Sequence, residues 1–359
     1  AEASFNTVNG IPATGNKKLM RGILRDEMGF DGVLISDWAA IEETIYHGYC
    51  ADKEDAAIRA VEAGVDIDMM TGIYCDNLCR LVREGKIPES LVDECCMRIL
   101  ELKNKLGLFE NPYKDADEEK EQQLILCKEH RELAREAARK SFVLLKNEEQ
   151  ILPLDKTKKT AFIGPYVNSR NLMGSWSIIG EAKDITTVEE TMAVEEAGNN
   201  VVCCQGSPML GAEVILEGFT EENQATYTPE EEAKMLEEAL EAAKKADQVV
   251  LFIGEDRLQS GEATSNATIQ IPQIQQNLLE RVAEINENIA VVLFSGRPLD
   301  LRDVQVKAKA ILEVWMPGTE GAGAITDVLY GRYNPTGKLP MSFPYCVGQG
   351  PVHYNASAN

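Results

Sequence analysis

The sequence predicts an α/β fold in two domains, and three observations carry that expectation. Short apolar runs without internal alternation, such as Val33-Leu34-Ile35, recur between segments of helical periodicity, which is the pattern of parallel strands covered on both faces. A second series of such runs begins after a polar, highly charged stretch at residues 111–121. The 359 residues also exceed the size at which a single core keeps growing, so division into two domains is the default.

Taken in order, Leu19, Met20, Ile23, Leu24 and Met28 share one face of a helix over residues 16–28, and Gly29 offers a left-handed stop. The strand at 33–35 follows and ends at Ser36-Asp37-Trp38. The unit then repeats, with an Ala-rich helix at 55–63, Gly64 as its cap and a strand at 65–70. Helices are expected at 75–83 and 91–106, the latter capped by Ser90 with Asp93 three residues on. Past the polar stretch, a helix at 129–141 leads to strands at 161–165, 249–254, 290–295 and 310–315, with helices at 230–245 and 273–285 between them. A sheet of this kind takes its ligands at the carboxyl ends of its strands.

Composition narrows the partners. Hydrophobic residues make up 44% and charged residues 26%, a globular balance, and no apolar run reaches the roughly 18 residues a spanning helix needs. A net charge of -23 repels nucleic acid, whose binding rests on cations that neutralise phosphates. It is compatible with a neutral ligand such as a sugar. The nine cysteines contain no CxxC pair. Several fall in apolar periodic segments, so buried free thiols and a reducing, cytoplasmic compartment are expected. His47, His130 and His353 are far apart and form no zinc motif, and no cofactor is expected. Gly174-Ser175-Trp176-Ser177 does not supply a nucleophile elbow. Gly318-Thr319-Glu320-Gly321-Ala322-Gly323 lacks the glycine order and lysine of a phosphate loop and reads as a strand-to-helix turn. Asn266 and Asn355 open two Asn-x-Ser/Thr triplets, short enough to arise by chance.

Two places could carry chemistry. Asp37 stands at the carboxyl end of a buried strand, where α/β folds present reactive groups. With Trp38 beside it, this suits sugar chemistry: the indole stacks on a pyranose while the carboxylate attacks the anomeric carbon. The competing reading is a cap for a helix at 39–47. The second place is the loop at 254–264, where Glu255 and Glu262 follow a strand end and either could donate a proton; the competing reading is a polar surface loop.

Longer strings then resemble a known family. Phe5-Asn6-Thr7-Val8-Asn9-Gly10-Ile11-Pro12-Ala13, Leu24-Arg25, Gly29-Phe30-Asp31-Gly32 and Ile35-Ser36-Asp37-Trp38 are similar to the signature that leads to the nucleophile in glycoside hydrolase family 3, in its bacterial β-glucosidase branch. The runs SFVLLKN (141–147), Gly296-Arg297-Pro298-Leu299 and GRYNPTGKLPMSFP (331–344) are similar to that family's second domain, in the expected order. The resemblance implies the C-terminal part of a (β/α)8 barrel over residues 1–110, a linker and connecting helix over 111–158, and an α/β sandwich domain over 159–359. It makes Asp37 the expected nucleophile. Ile269-Gln270-Ile271-Pro272 aligns the sandwich loop so that Glu262 falls at the acid/base, with Glu255 as the fallback. Trp38 and Trp176 match residues that clasp the leaving-group sugar, and Met70 joins them as a substrate-binding residue.

The implied activity is a retaining, exo-acting β-glucosidase that releases terminal β-D-glucose. Its alternatives are a β-xylosidase, an N-acetylglucosaminidase or a phosphorylase on the same fold, or a non-catalytic carbohydrate-binding fragment. The family's earlier barrel strands precede Ala1. A partial barrel exposes strand edges and apolar helix faces, so completion by another segment or by a second copy of the chain is expected.

Overall fold

The computed structural model describes residues 1–177, 180–211, 227–262, 264–353 and 355. The Ser357 of the second Asn-x-Ser triplet and Ala263 of the acidic loop lie outside them. The chain divides into two compact units, Ala1–Glu121 and Gln122–Asn359.

The first unit contains the strands β1 (Glu2–Ala3), β2 (Thr7–Val8), β3 (Ile11–Pro12) and β4 (Ile35–Ser36). Its helices are α1 (Ala40–Tyr46), α2 (Lys53–Ala63), α3 (Ile73–Arg83), α4 (Glu89–Lys105) and the start of α5 (Glu118–Leu124). The segment expected as a helix at 16–28 is a wider π-type turn over Lys18–Glu27, closed by Met28 N–H on the Ile23 carbonyl. Asp52 caps α2 by accepting the Asp55 N–H, and Gly64 ends it in the left-handed region at φ 88°. The expected Ser90 cap is absent. Pro88 precedes α4 with no side-chain cap bond, and Ser90 lies inside the first turn. Pro88 is still extended at ψ 141°, and Glu89 supplies negative charge to the helix's first turn.

The strand expected at 65–70 reduces to one parallel bridge, Ile35 to Ile67. Two side chains take the place of ladder bonds on either side of it. The Asp66 carboxylate accepts the Leu34 N–H at 2.8 Å, and the Ser36 hydroxyl accepts the Met69 N–H at 2.9 Å. Asp66 is buried and meets two cations, Arg25 at 2.8 Å and Arg98 at 2.7 Å. Arg25 also donates to the carbonyls of Gly32 and Gly64. A carboxylate removed from water persists only with partners of this kind.

The second unit is built on one sheet. Its strands are β5 (Val143–Asn147), β6 (Thr160–Ile163), β7 (Val201–Cys204), β8 (Gln248–Gly254), β9 (Ile289–Phe294) and β10 (Ala310–Glu313), in the order β5-β10-β9-β8-β6-β7. All neighbours are parallel except β5 against β10. Four of these strands were legible; β5, which follows a helix without a breaker, and the short β7 were not. Helices α6 (Lys128–Ser141), α7 (Val188–Val194) and α11 (Gly321–Leu329) pack on Phe162, Phe252, Val292 and Leu312 on one face. Helices α8 (Pro229–Lys245), α9 (Gln273–Ala283) and α10 (Arg302–Lys307) cover Ile163, Leu251, Leu293 and Ile311 on the other. This is a three-layer sandwich, and period-two alternation sends neighbouring apolar residues of each strand to opposite cores.

All nine cysteines are free, but only Cys50 and Cys95 are buried, while Cys75, Cys79 and Cys96 are exposed. The expectation of buried thiols therefore holds for a minority: α3 and α4 turn Cys75, Cys79 and Cys96 outward, and the remaining four cysteines are partly exposed. No helix among the described residues is long and apolar enough to cross a membrane.

Replacing Asp66 with Ala leaves the buried Arg25 guanidinium without its anion and Arg98 with Glu94 alone, at 3.1 Å. It is expected to destabilise the protein by about 3–5 kcal/mol, seen as a lower urea midpoint, and an unchanged midpoint would contradict the anchoring role.

Candidate functional site

In the first unit, β1 and β4 pair in parallel, and Asp37 follows directly on β4. Its N–H donates to the Ala3 carbonyl at 3.3 Å, while its Oδ1 accepts the Trp38 N–H at 2.7 Å. The side chain does not cap α1. That helix begins after Ala39, which sits in the left-handed region at φ 57° with no side-chain cap bond. A non-glycine residue there is strained by about 1 kcal/mol or more. The strain is held by the Ala39 N–H on the Met69 carbonyl, at 3.1 Å. This bond ties the turn after β4 to the next strand end, where Met70 also takes a positive φ of 69°. Trp38 is 60% exposed and Met70 57%. Three of the residues expected at the site, Asp37, Trp38 and Met70, thus belong to two adjoining strand ends. Asp68 below them holds the second turn, its carboxylate accepting the Thr71 hydroxyl at 2.6 and 2.8 Å.

In the second unit, the loop after β8 carries both acidic candidates, and the fold treats them oppositely. Glu255 is completely buried and takes two N–H groups of Arg297, the shorter contact being 2.6 Å. Burial pushes its carboxyl up, and Arg297 pulls it back. The Tyr166 hydroxyl donates to the Glu255 carbonyl, and the Tyr166 ring stacks on Phe294 with centroids 3.9 Å apart. A carboxylate closed in this way cannot reach a substrate. Glu262 is exposed, and its side chain has no hydrogen bond to a described residue.

The same loop meets the turn that carries Trp176, which is 68% exposed. An added Cβ on Gly261 would stand 2.6 Å from the Ser175 hydroxyl oxygen, and one on Gly296 would stand 2.0 Å from that of Ser260. At Gly261 the backbone also takes φ 112°, a conformation that favours glycine. The Asp256 carboxylate accepts the Asn171 side-chain amide at 2.6 Å. Glu262 and Trp176 therefore lie on touching loops at the carboxyl edge of the sheet.

Sequence reasoning missed the supports: Ser36, Asp66 and Asp68 in the first unit, Asn171, Arg297 and Glu313 in the second. Arg297 had a signal in its Gly-Arg-Pro-Leu run, but Asn171 had none. Glu313, at the end of β10, is fully buried. Its Oε1 accepts the Ser295 hydroxyl at 3.2 Å and the Trp315 N–H at 2.8 Å, while Oε2 meets no partner among the described residues. Burial first, with Glu255 nearby, pushes its carboxyl up to about 8. Among the described residues, no group of three or more His, Cys, Asp or Glu could hold a metal ion.

Comparison with known proteins gives the same two-part division. Residues 1–102 match the model of the glycosyl hydrolase family 3 N-terminal domain, and residues 142–359 that of the family's C-terminal domain. The chain is 40% identical to a periplasmic β-glucosidase of Salmonella typhimurium, over 98% of this chain and 47% of that protein. It is 33% identical to a β-xylosidase of Formosa agariphila, over 96% and 47%. Among solved structures, the β-glucosidase from Listeria innocua in complex with glucose superimposes with a TM-score of 0.87 at 41% identity, covering 99% of this chain and 46% of that one. The chain spans about half the length of the curated relatives it matches.

The buried carboxyl gives a prediction about pH. Glu313 rises from an ordinary 4.5 to about 8, so over that interval the unfolded chain ionises here while the folded chain stays neutral. Stability is present in full at low pH and is lost as the pH rises toward the folded value. Glu313→Gln keeps an acceptor for Ser295 and Trp315 and is expected to flatten this decline, measured as urea midpoints across the interval. Equal slopes in the two proteins would refute the buried neutral acid.

Proposed function

Because the chain belongs to glycosyl hydrolase family 3, we propose that it is the part of a retaining, exo-acting β-glucosidase that supplies both catalytic carboxylates. The domains that go with this reading are a partial (β/α)8 barrel over 1–110, a connection over 111–158 and an α/β sandwich over 159–359. One observation carries it: Asp37 ends a barrel-type strand beside the exposed Trp38. It is held there by backbone and not spent on capping a helix.

Asp37 attacks the anomeric carbon of a terminal β-D-glucosyl residue as Glu262 protonates the departing glycosidic oxygen. Water then displaces Asp37 from the glycosyl-enzyme, with Glu262 taking the proton from that water. Retention requires the two carboxyl groups at about 5 to 5.5 Å in the reacting state. Trp38, Met70 and Trp176 offer apolar faces to the sugars. The exposure of Glu262 and the closure of Glu255 support Glu262 as the acid/base.

A second reading, a β-xylosidase, is favoured by the relative of that description at 33% identity. Nitrophenyl β-glucoside and β-xyloside compared side by side separate the two by their kcat/KM.

The proposal makes definite demands on a preparation containing the complete barrel. A 2-deoxy-2-fluoro glucoside is expected to label the peptide carrying Asp37, and Asp37→Ala to abolish turnover; label on another peptide refutes the assignment. Glu262→Ala is expected to lose about 10²–10⁴-fold on substrates whose leaving group needs a proton. Added azide should restore turnover by forming β-glucosyl azide.

A further inference from the structure

We propose that Asp256 and Asn171 are positioning residues for the proton donor. Their hydrogen bond locks the loop bearing Glu262 to the turn bearing Trp176, so that one rigid element both recognises the leaving group and protonates it. The inference rests on Glu262 as the acid/base of the proposed reaction.

The argument starts from how the two oxygens of Asp256 are used. Oδ1 accepts the Leu258 N–H at 2.9 Å and so shapes the loop's first turn. Oδ2 accepts the Asn171 amide at 2.6 Å and so reaches out of the loop. The turn is closed further by Gln259, whose side-chain oxygen accepts the Asp256 N–H and whose own N–H donates to the Asp256 carbonyl, both at 2.9 Å. Asp256 is half-buried and has no ion pair within the described residues. Its carboxylate is therefore committed to fastening two pieces of backbone. Asn171 is five residues before Trp176, and Asp256 six before Glu262. The close approach of Gly261 to Ser175 sets the far ends of the two segments against each other. Two attachments, one polar and one steric, fix the relative position of the segments, whereas one would leave a pivot. General-acid catalysis depends on the donor lying within hydrogen-bond reach of the leaving oxygen, and small misplacements of such a group are expensive in rate.

The donor and acceptor pattern supplies the test. Asn171→Asp sets a carboxylate against the Asp256 carboxylate and breaks the attachment. Asn171→Asp combined with Asp256→Asn restores a donor facing an acceptor with the polarity reversed. The probes are cellobiose, whose leaving sugar must be protonated, and 2,4-dinitrophenyl β-D-glucoside, whose leaving group departs as the anion. All variants are assayed in the complete protein.

Asn171→Asp is expected to lower kcat/KM for cellobiose by roughly tenfold or more, a fraction of the full general-acid contribution. The dinitrophenyl substrate is expected to stay within about threefold, and the double variant to recover the cellobiose rate. A loss of folded protein would lower both substrates equally, so proportional losses, or a double variant no better than the single, overturn the proposal. Glu262→Ala is the reference. If it shows no dependence on the leaving group, the acid/base assignment fails, and if the unaltered protein cleaves neither probe, the glucosidase reading fails.

Discussion

A carboxylate sealed from water must be answered by cations and N–H groups, and this requirement shapes both units. In the first, Asp66 holds Arg25 and Arg98 on one side and the Leu34 N–H on the other. Leu34 leads into β4, so the ionic contact beneath the strand sets where its end, and hence Asp37, emerges. In the second, the two-pronged grip of Arg297 on Glu255 pins the loop after β8 at its root. Separating either pair would leave a charge in a poorly solvated interior, which is why each acts as a fixed point and not as one contact among many.

The fold thereby divides its acidic residues by exposure. Asp66, Glu255 and Glu313 are buried and do structural work: two are ion-paired, and the third is kept neutral by its surroundings. Asp37 and Glu262 keep oxygen atoms without a partner among the described residues, each beside an exposed tryptophan or the turn that bears one. The two glutamates of one loop differ in the same way, Glu255 being buried against Arg297 and Glu262 exposed. Both follow the same strand, but only one can meet a solute.

Much of this was legible in the sequence, for identifiable reasons. The strand before Asp37 and the four central strands of the large sheet stood out because both of their faces are covered, which demands unbroken apolar runs. The Glu-, Ala- and Lys-rich α8 declared itself by composition. The edge strands β5 and β7 did not, since an edge needs only one apolar face and β5 follows a helix without interruption. Residues 65–70 have the apolar content of a longer strand than the single bridge at Ile67. What shortens it is the inward turn of Asp66, and the cations that cause the turn are 41 residues earlier and 32 residues later in the chain. Asn171 was illegible for the same reason: a lone amide acquires meaning only from Asp256, 85 positions away. Pairings of that range leave no local periodicity.

The placement of β5 has a consequence for how the molecule comes into being. This strand leaves the ribosome before every other member of its sheet, yet its sole neighbour, β10, is the last to be made. During synthesis the Val-Leu-Leu run of β5 must wait, unpaired and apolar, while the rest of the sandwich assembles, and only the arrival of residues Ala310–Glu313 closes the sheet. Such distant pairing makes for slow completion. The nascent sandwich is thus most exposed to misassociation before β10 appears.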